Sequence, residues 1–182
     1  MSHFKSARKA SPDMRSIIFS FFIGLFLSGL HSCSVLSKKT TPSDSAPYGG
    51  VRTSKLRRDI VKAAYDYVGS TYKYAGTKPS TGFDCSGFTY YVLMQFKVNI
   101  TPASANQAKY GREVSLNRAQ PGDLLFFGDA DRVSHVALIV KNDKEGITCV
   151  HSTSSRGVIE ENVSASTYWK PRILFARDIL GN

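Results

Sequence analysis

The hydrophobic pattern of the chain changes its period at Pro121-Gly122-Asp123. Before this point apolar residues recur every three or four positions, which is typical of amphipathic helices. After it, short runs rich in β-branched and aromatic residues alternate with turn residues. A chain with helices first and strands afterwards is expected to form an α+β domain, in which an antiparallel sheet is covered on one face.

Helices are predicted in the first half of the chain. The first runs over residues 55–68 and ends at Gly69. The second runs over residues 85–96, with Asp84 available as its N-cap, and a short helix is expected within residues 104–110. The second half predicts about five strands, over residues 123–127, 134–140, 147–151, 158–163 and 172–177.

The N-terminal region reads as a targeting segment. Residues 17–30 form an apolar run that is preceded by basic residues and is short for a membrane-spanning helix. Leu30-His31-Ser32-Cys33 resembles the lipobox of bacterial lipoproteins, in which cleavage precedes a cysteine that receives diacylglycerol. We therefore expect residues 1–32 to be a lipoprotein signal peptide and Cys33 to be lipidated. A plain secretory signal or an uncleaved anchor are the alternatives, and Met14 would itself begin a compact signal peptide.

Residues 33–54 are rich in Ser, Thr, Pro, Gly and Lys and show no apolar periodicity. Such a composition predicts a flexible tether between a lipid anchor and a domain over residues 55–182. Ser34 beside the lipidated cysteine favours the outer membrane, facing the periplasm, in a cell that has one. The expected location is therefore the cell envelope, with membrane contact through Cys33.

The chain carries a formal net charge of +10, of which residues 1–32 contribute +3. The rest is spread along the sequence, apart from the short basic run Lys55-Leu56-Arg57-Arg58, and no basic stripe with interleaved aromatic residues is present. We interpret the surplus of positive charge as a feature that keeps the protein soluble and attracts it in a general way to an anionic polymer or envelope. Nucleic acid is not an expected partner.

The three cysteines are far apart and form no Cys-x-x-Cys pair, so neither a disulfide framework nor a structural metal site is indicated. Cys85 lies on the first turn of a predicted helix, where peptide dipoles and unpaired amides favour negative charge. This position predicts a lowered thiol pKa and a ready oxyanion site. Cys149 alternates within a predicted strand, which favours a packing role.

His135 and His151 are the histidines available to serve as a base for Cys85. A hairpin with a three-residue tip at residues 142–144 would place them directly opposite each other. A tip with an even number of residues would place the two histidine side chains on opposite faces of the sheet, unless a bulge intervened. On the expected pairing, His135 is the base and His151 orients it. Core packing of each residue alone, or a zinc site made with the cysteine, are the alternatives.

These residues lie within a longer series of motifs. In order along the chain they are Tyr72-Lys73-Tyr74-Ala75-Gly76, Phe83-Asp84-Cys85-Ser86-Gly87-Phe88, Gln107, Gln120-Pro121-Gly122-Asp123-Leu124-Leu125-Phe126-Phe127, Ser134-His135-Val136-Ala137-Leu138 and Val150-His151-Ser152. Residues 56–180 thereby resemble the NlpC-type cell-wall cysteine endopeptidases. The resemblance implies a papain-like α+β fold and hydrolysis of amide bonds in peptidoglycan stem peptides. It implies no metal or organic cofactor, and we expect a monomer.

The resemblance also implies roles for particular residues. Cys85 matches the nucleophile of the family, His135 the base and His151 the polar third member. Tyr74 matches a tyrosine that lines the site, and Asp84 and Ser86 match residues that bind the amino end of the stem peptide. Packing is the structural alternative for Tyr74, and helix capping for the other two. Two alanines depart from the family pattern by replacing a usual glycine, namely Ala75 and Ala137.

The sequence alone does not identify which bond of the stem peptide is cut. The general family habit favours the D-γ-glutamyl to diamino acid bond. The run from Val150 to Ser155 resembles the lipoprotein murein endopeptidases, which favours the D-alanyl to diaminopimelate crosslink. A catalytically silent wall-binding lipoprotein and a papain-like amidase or acyltransferase are the competing functions.

Overall fold

The computed structural model describes residues 55–130 and 132–181. The predicted signal peptide, the lipidation of Cys33 and the tether therefore lie outside the described residues. None of the helices in the described ranges combines the length and the apolar character needed to cross a membrane.

The three helices predicted from the periodicity are present. They are α1 (Lys55–Tyr65), α2 (Cys85–Met94) and α3 (Ser104–Gln107). Each ends earlier than predicted, and the residues after α1 form a turn that closes at Gly69, whose φ of 93° favours glycine. Two short strands, β1 (Thr77–Lys78) and β2 (Gly82–Phe83), pair with each other just before α2.

The second half forms an antiparallel sheet, so the predicted α+β class is confirmed. Five strands correspond to the five predicted ones, and a sixth, β3, was not predicted. The strands are β3 (Arg112–Val114), β4 (Leu124–Asp129), β5 (Arg132–Asp143), β6 (Gly146–Thr153), β7 (Gly157–Asn162) and β8 (Ile173–Asp178). Their spatial order is β3-β8-β4-β5-β6-β7, with antiparallel pairing throughout.

The sheet buries apolar side chains on both faces. On the helix side, α1 and α2 pack against alternate residues of the central strands, including Phe126 and Leu138. On the other side, a second buried cluster includes Phe127, Ile139 and Cys149, and Trp169 packs against it. The expectation that the sheet is covered on one face alone was therefore wrong. The second layer includes Val163 and Trp169 from the connection between β7 and β8 and Ala119 from the segment before β4, and neither segment has a helical period to predict it.

Helix α1 is fixed to the sheet by a buried ion-pair cluster around Arg57. Its guanidinium donates to Asp123 Oδ1 at 2.5 Å and to Asp178 Oδ1 at 2.6 Å, and also to the carbonyl of Pro121. Arg57 is 7% exposed. The sequence interpretation, which counted Arg57 with the basic run 55–58, was wrong for this residue because its charge is neutralised inside the protein.

The hairpin of β5 and β6 differs from the predicted one in its tip. Asp143 pairs with Gly146, so the tip has two residues instead of three, and a bulge at Val140 then shifts the register. Beyond the bulge Leu138 pairs with Val150. The bulge compensates for the even tip, which places His135 and His151 on one face as predicted, although not directly opposite each other.

Candidate active site

Cys85 and His135 line the same open cavity, which has a volume of about 700 Å³. Side chains from β6, β7 and the connection before β8 form much of its wall, including Ser152, Glu161, Tyr168, Trp169 and Arg172. Among the described residues no hydrogen bond joins the thiol to the imidazole. Such catalytic hydrogen bonds commonly tighten when substrate binds, so the pair is placed for chemistry without being preassembled.

The thiol is the first side chain of α2, and Asp84 caps this helix as predicted. Its carboxylate Oδ1 accepts a hydrogen bond from the backbone N–H of Gly87 at 2.6 Å and another from Ser86 Oγ at 3.0 Å. The cap satisfies an amide that would otherwise lack a partner at the helix start. It also fixes the positions of Asp84 and Ser86 relative to each other, on either side of Cys85.

Three further contacts fix the start of α2 against its surroundings. The hydroxyl of Ser152 on β6 donates to the carbonyl of Phe83 at 2.7 Å. The buried amide of Gln107 donates to the carbonyl of Ser86 at 2.9 Å. A Cβ on Gly87 would lie 2.0 Å from the carbonyl oxygen of Gly76, so a glycine is required where the preceding loop crosses the helix. These contacts position the thiol relative to the sheet.

Burial raises the pKa of the Cys85 thiol, and the negative charge of Asp84 adds to this effect. Backbone N–H groups of Val136, Ser86 and Cys85 itself act in the opposite direction, since they favour the thiolate. Val136 follows His135 on β5, which places the sulfur beside the strand that carries the base. The predicted lowering of the thiol pKa was wrong, because desolvation outweighs the amides at the helix start.

The two histidines form a directly bonded pair. His135 Nε2 lies 2.9 Å from His151 Nδ1, and the His135 ring stacks on Trp169 at 4.5 Å between centroids. Burial lowers the pKa of both imidazoles well below their ordinary value of 6.5. The charge of His151 lowers the pKa of His135 further, because it opposes protonation of the neighbouring ring. Both rings are therefore neutral at pH 7.

Glu161 on β7 stands behind this pair, and the sequence analysis did not identify it. Its Oε2 lies 3.7 Å from His151 Nε2, a buried nitrogen that has no hydrogen-bond partner among the described residues. The same oxygen accepts from Arg156 at 2.5 Å. Strand register could have suggested it, because His151 pairs with Ile159 and Glu161 follows two residues later on the same face.

The other predicted site residues occupy varied positions. Tyr74 is 83% exposed, and the structure places Tyr72 in the cavity wall in its stead. Asp84 and Ser86 are engaged in the helix cap, and their predicted contact with substrate stays a prediction. Cys149 is fully buried in the cluster on the sheet face opposite the helices, in agreement with a packing role. No cluster of three or more His, Cys, Asp or Glu in the described ranges is arranged to hold a metal ion.

A cysteine at a helix start, beside a histidine pair on an antiparallel sheet, is the arrangement of a papain-like domain. Residues 69–178 match the NlpC/P60 family, and the chain belongs to this family. The solved NlpC/p60 domain of the peptidoglycan hydrolase SagA is 32% identical, with a TM-score of 0.58 over 67% of this chain and 97% of that one. The predicted papain-like fold is thereby confirmed.

Two curated relatives also match. Gamma-DL-glutamyl hydrolase of Bacillus subtilis is 37% identical over 124 residues, which are 66% of this chain and 29% of that protein. Probable endopeptidase p60 of Listeria seeligeri is 33% identical over 118 residues, which are 65% of this chain and 21% of that protein. The chain thus spans less than a third of the length of either relative.

Proposed function

We propose that the protein is a peptidoglycan endopeptidase, which hydrolyses an amide bond in murein stem peptides with Cys85, His135 and His151. The observation that carries this proposal is the cavity shared by Cys85 and His135, with His151 Nδ1 hydrogen-bonded to Nε2 of the base. The names of the relatives support the reaction class, since they include a gamma-glutamyl hydrolase and an endopeptidase.

Glu161 supports a definite proton arrangement in the histidine pair. A carboxylate behind His151 favours the tautomer that carries hydrogen on Nε2, because only an N–H is attracted to it. Nδ1 of His151 then accepts from the Nε2–H of His135. This arrangement leaves Nδ1 of His135 with a free lone pair, as a general base requires.

The reaction follows from these positions. As the Cys85 sulfur attacks the carbonyl carbon, its proton passes to Nδ1 of His135, and backbone amides at the start of α2 stabilise the oxyanion. His135 then gives the proton to the leaving nitrogen, which departs as an amine and leaves a thioester. Water, deprotonated by His135, attacks the thioester and releases the acid, and the proton returns to the thiol.

The neutral thiol and the neutral imidazole give the reaction a distinctive pH dependence. Iodoacetamide should alkylate Cys85 slowly at pH 7, with the rate rising to a midpoint above 9.0, the ordinary thiol pKa. The measurement is mass spectrometry of the Cys85 peptide in the Cys149→Ala background. Turnover should fall only at a pH below 6.5, where His135 gains a proton. An alkylation rate already maximal at pH 7 would show an ion pair instead.

Substitutions of the two histidines are expected to lower kcat/KM by unequal amounts. His135→Ala removes the base and should lower kcat/KM by at least about a thousandfold. His151→Gln should cost about a hundredfold, because an amide still bonds to His135 but orients it less well. Kinetics on a synthetic stem peptide would measure both, with circular dichroism to confirm folding. A larger loss in His151→Gln than in His135→Ala would mean that their roles must be exchanged.

The activity itself is tested on purified sacculi. Incubation with the full chain should release new amino groups, which dinitrophenylation measures, while no new reducing sugar ends appear. New amino groups are expected because the proposed reaction cleaves amides and leaves the glycan intact. Release that is equal in the wild type and in Cys85→Ala would contradict the proposal.

We propose further that the protein is a monomer held at the cell envelope by a lipid on Cys33. The apolar run that ends near this cysteine and the polar segment after it support the anchor. Two or more acyl chains are needed for stable attachment. Labelled fatty acid should enter the wild type but not Cys33→Ala, and that variant should accumulate as precursor or in soluble form. Equal labelling of both would contradict the anchor and leave the Cys85 chemistry untouched.

A further inference from the structure

Arg172 lies in the wall of the active-site cavity with its charge held in place by Tyr168. Its guanidinium lies over the Tyr168 ring, 4.0 Å from the centroid, and donates to the Tyr168 carbonyl at 2.5 Å. Neither contact neutralises the positive charge. None of the ion pairs between described residues includes Arg172. The cavity therefore offers a fixed cation with donors to spare.

The other charged groups of the cavity do not pair with Arg172. Arg156 is ion-paired with Glu161, which also faces His151, so these two charges belong to the arrangement behind the base. Asp129, at the exposed end of β4, lines the cavity as well but forms no ion pair with Arg172 within the described ranges. Arg172 is thus positioned for an anionic group brought by the substrate.

One aromatic wall connects Arg172 with the reacting groups. His135 stacks on Trp169 at 4.5 Å, and Tyr168 meets Trp169 edge-on at 4.9 Å before Arg172 covers its ring. The guanidinium is therefore two aromatic side chains away from the base. A substrate lying along this wall would present the groups on one side of its scissile amide to Arg172.

We propose that Arg172 binds a free carboxylate of the stem peptide beside the scissile amide and makes the enzyme selective for free-acid over amidated stems. This inference rests on the proposed function. A γ-glutamyl bond leaves the α-carboxylate of the same residue free, and a diamino dicarboxylic acid carries a further one. A guanidinium fork binds a carboxylate through two charged hydrogen bonds, whereas a carboxamide is neutral and offers a single acceptor.

The test compares synthetic stem peptides that differ only in one carboxyl group, as free acid or as carboxamide. One pair varies the glutamyl residue and a second pair varies the diamino acid. The full chain in detergent should cleave the free acid of one pair with a kcat/KM at least about tenfold above that of its amide. Arg172→Gln should lose this preference by slowing on the acid alone. Lys170→Gln, on the same turn but exposed and outside the cavity, should keep it.

The possible results distinguish a failure of the role of Arg172 from a failure of the proposed endopeptidase function. Wild type that cleaves acid and amide equally in both pairs, or Arg172→Gln that keeps the wild-type preference, overturns the role of Arg172 and leaves the endopeptidase intact. Wild type that cleaves none of the four peptides, and releases no amino groups from sacculi, overturns the proposed function itself. A preference lost equally in Lys170→Gln would assign it to the general charge of this face.

Discussion

Replacement of Cys85 by alanine is expected to lower peptide hydrolysis by at least about a thousandfold while the domain stays folded. The thiol supplies the attacking sulfur, and no other nucleophile replaces it in the proposed reaction. Alanine fits the first turn of α2, whose cap is provided by Asp84 and Gly87 instead of the cysteine side chain. Stem-peptide kinetics measure the loss, and the unfolding midpoint reports on the fold.

Cys149→Ala is the matched control for this change. Cys149 is fully buried in the sheet, and burial raises the pKa of its thiol, so it is a packing residue without a reactive thiolate. Its replacement should retain most of the turnover and cost on the order of 1 kcal/mol of stability through a small cavity. Equal loss of turnover in the two folded variants would defeat the assignment of Cys85 as the nucleophile.

Replacement of Arg57 by alanine is expected to produce the largest loss of stability, about 3–5 kcal/mol. The change leaves two carboxylates, those of Asp123 and Asp178, without their shared cation between α1 and the sheet. An uncompensated buried charge is far more costly than a lost surface ion pair. Equilibrium unfolding in urea, followed by fluorescence, measures the difference in free energy.

Lys55→Ala provides a control on the same helix. Lys55 pairs with Asp59 at 2.6 Å, but its side chain is 83% exposed. Such exposed pairs contribute little, so this variant should unfold within about 0.5 kcal/mol of the wild type. A loss in Arg57→Ala that is no larger than in Lys55→Ala would mean that the buried cluster does not hold α1 on the sheet.

The strands and helices that were predicted correctly carry their own periodic pattern. The five predicted strands contain apolar alternation or short apolar runs, which burial in a sheet requires. The missing strand, Arg112–Val114, has two charged residues and a single valine. It becomes a strand because β8 offers an open edge for it, 60-odd residues further along the chain. A pairing of this kind has no local sequence pattern.

The site could be predicted as far as local rules extend. Cys85 was found from a helix start, and the two histidines from strand parity, although the correct face resulted from a bulge at Val140 that the sequence did not reveal. The thiol pKa was predicted in the wrong direction because desolvation depends on the whole fold. Glu161 and Arg172 have no local sequence signature, because strand register places Glu161 beside His151 and the folded connection before β8 places Arg172 in the cavity wall.

The endopeptidase activity is tested most sharply by mass spectrometry of muropeptides after purified sacculi have been digested by the full chain. We expect products cut at a single type of stem-peptide amide, in amounts that depend on Cys85 and on His135. The mass of the products names the bond, either D-γ-glutamyl to diamino acid or the D-alanyl crosslink. An unchanged muropeptide profile, or the same products from the Cys85→Ala variant, would contradict the claim that this cavity is an endopeptidase site.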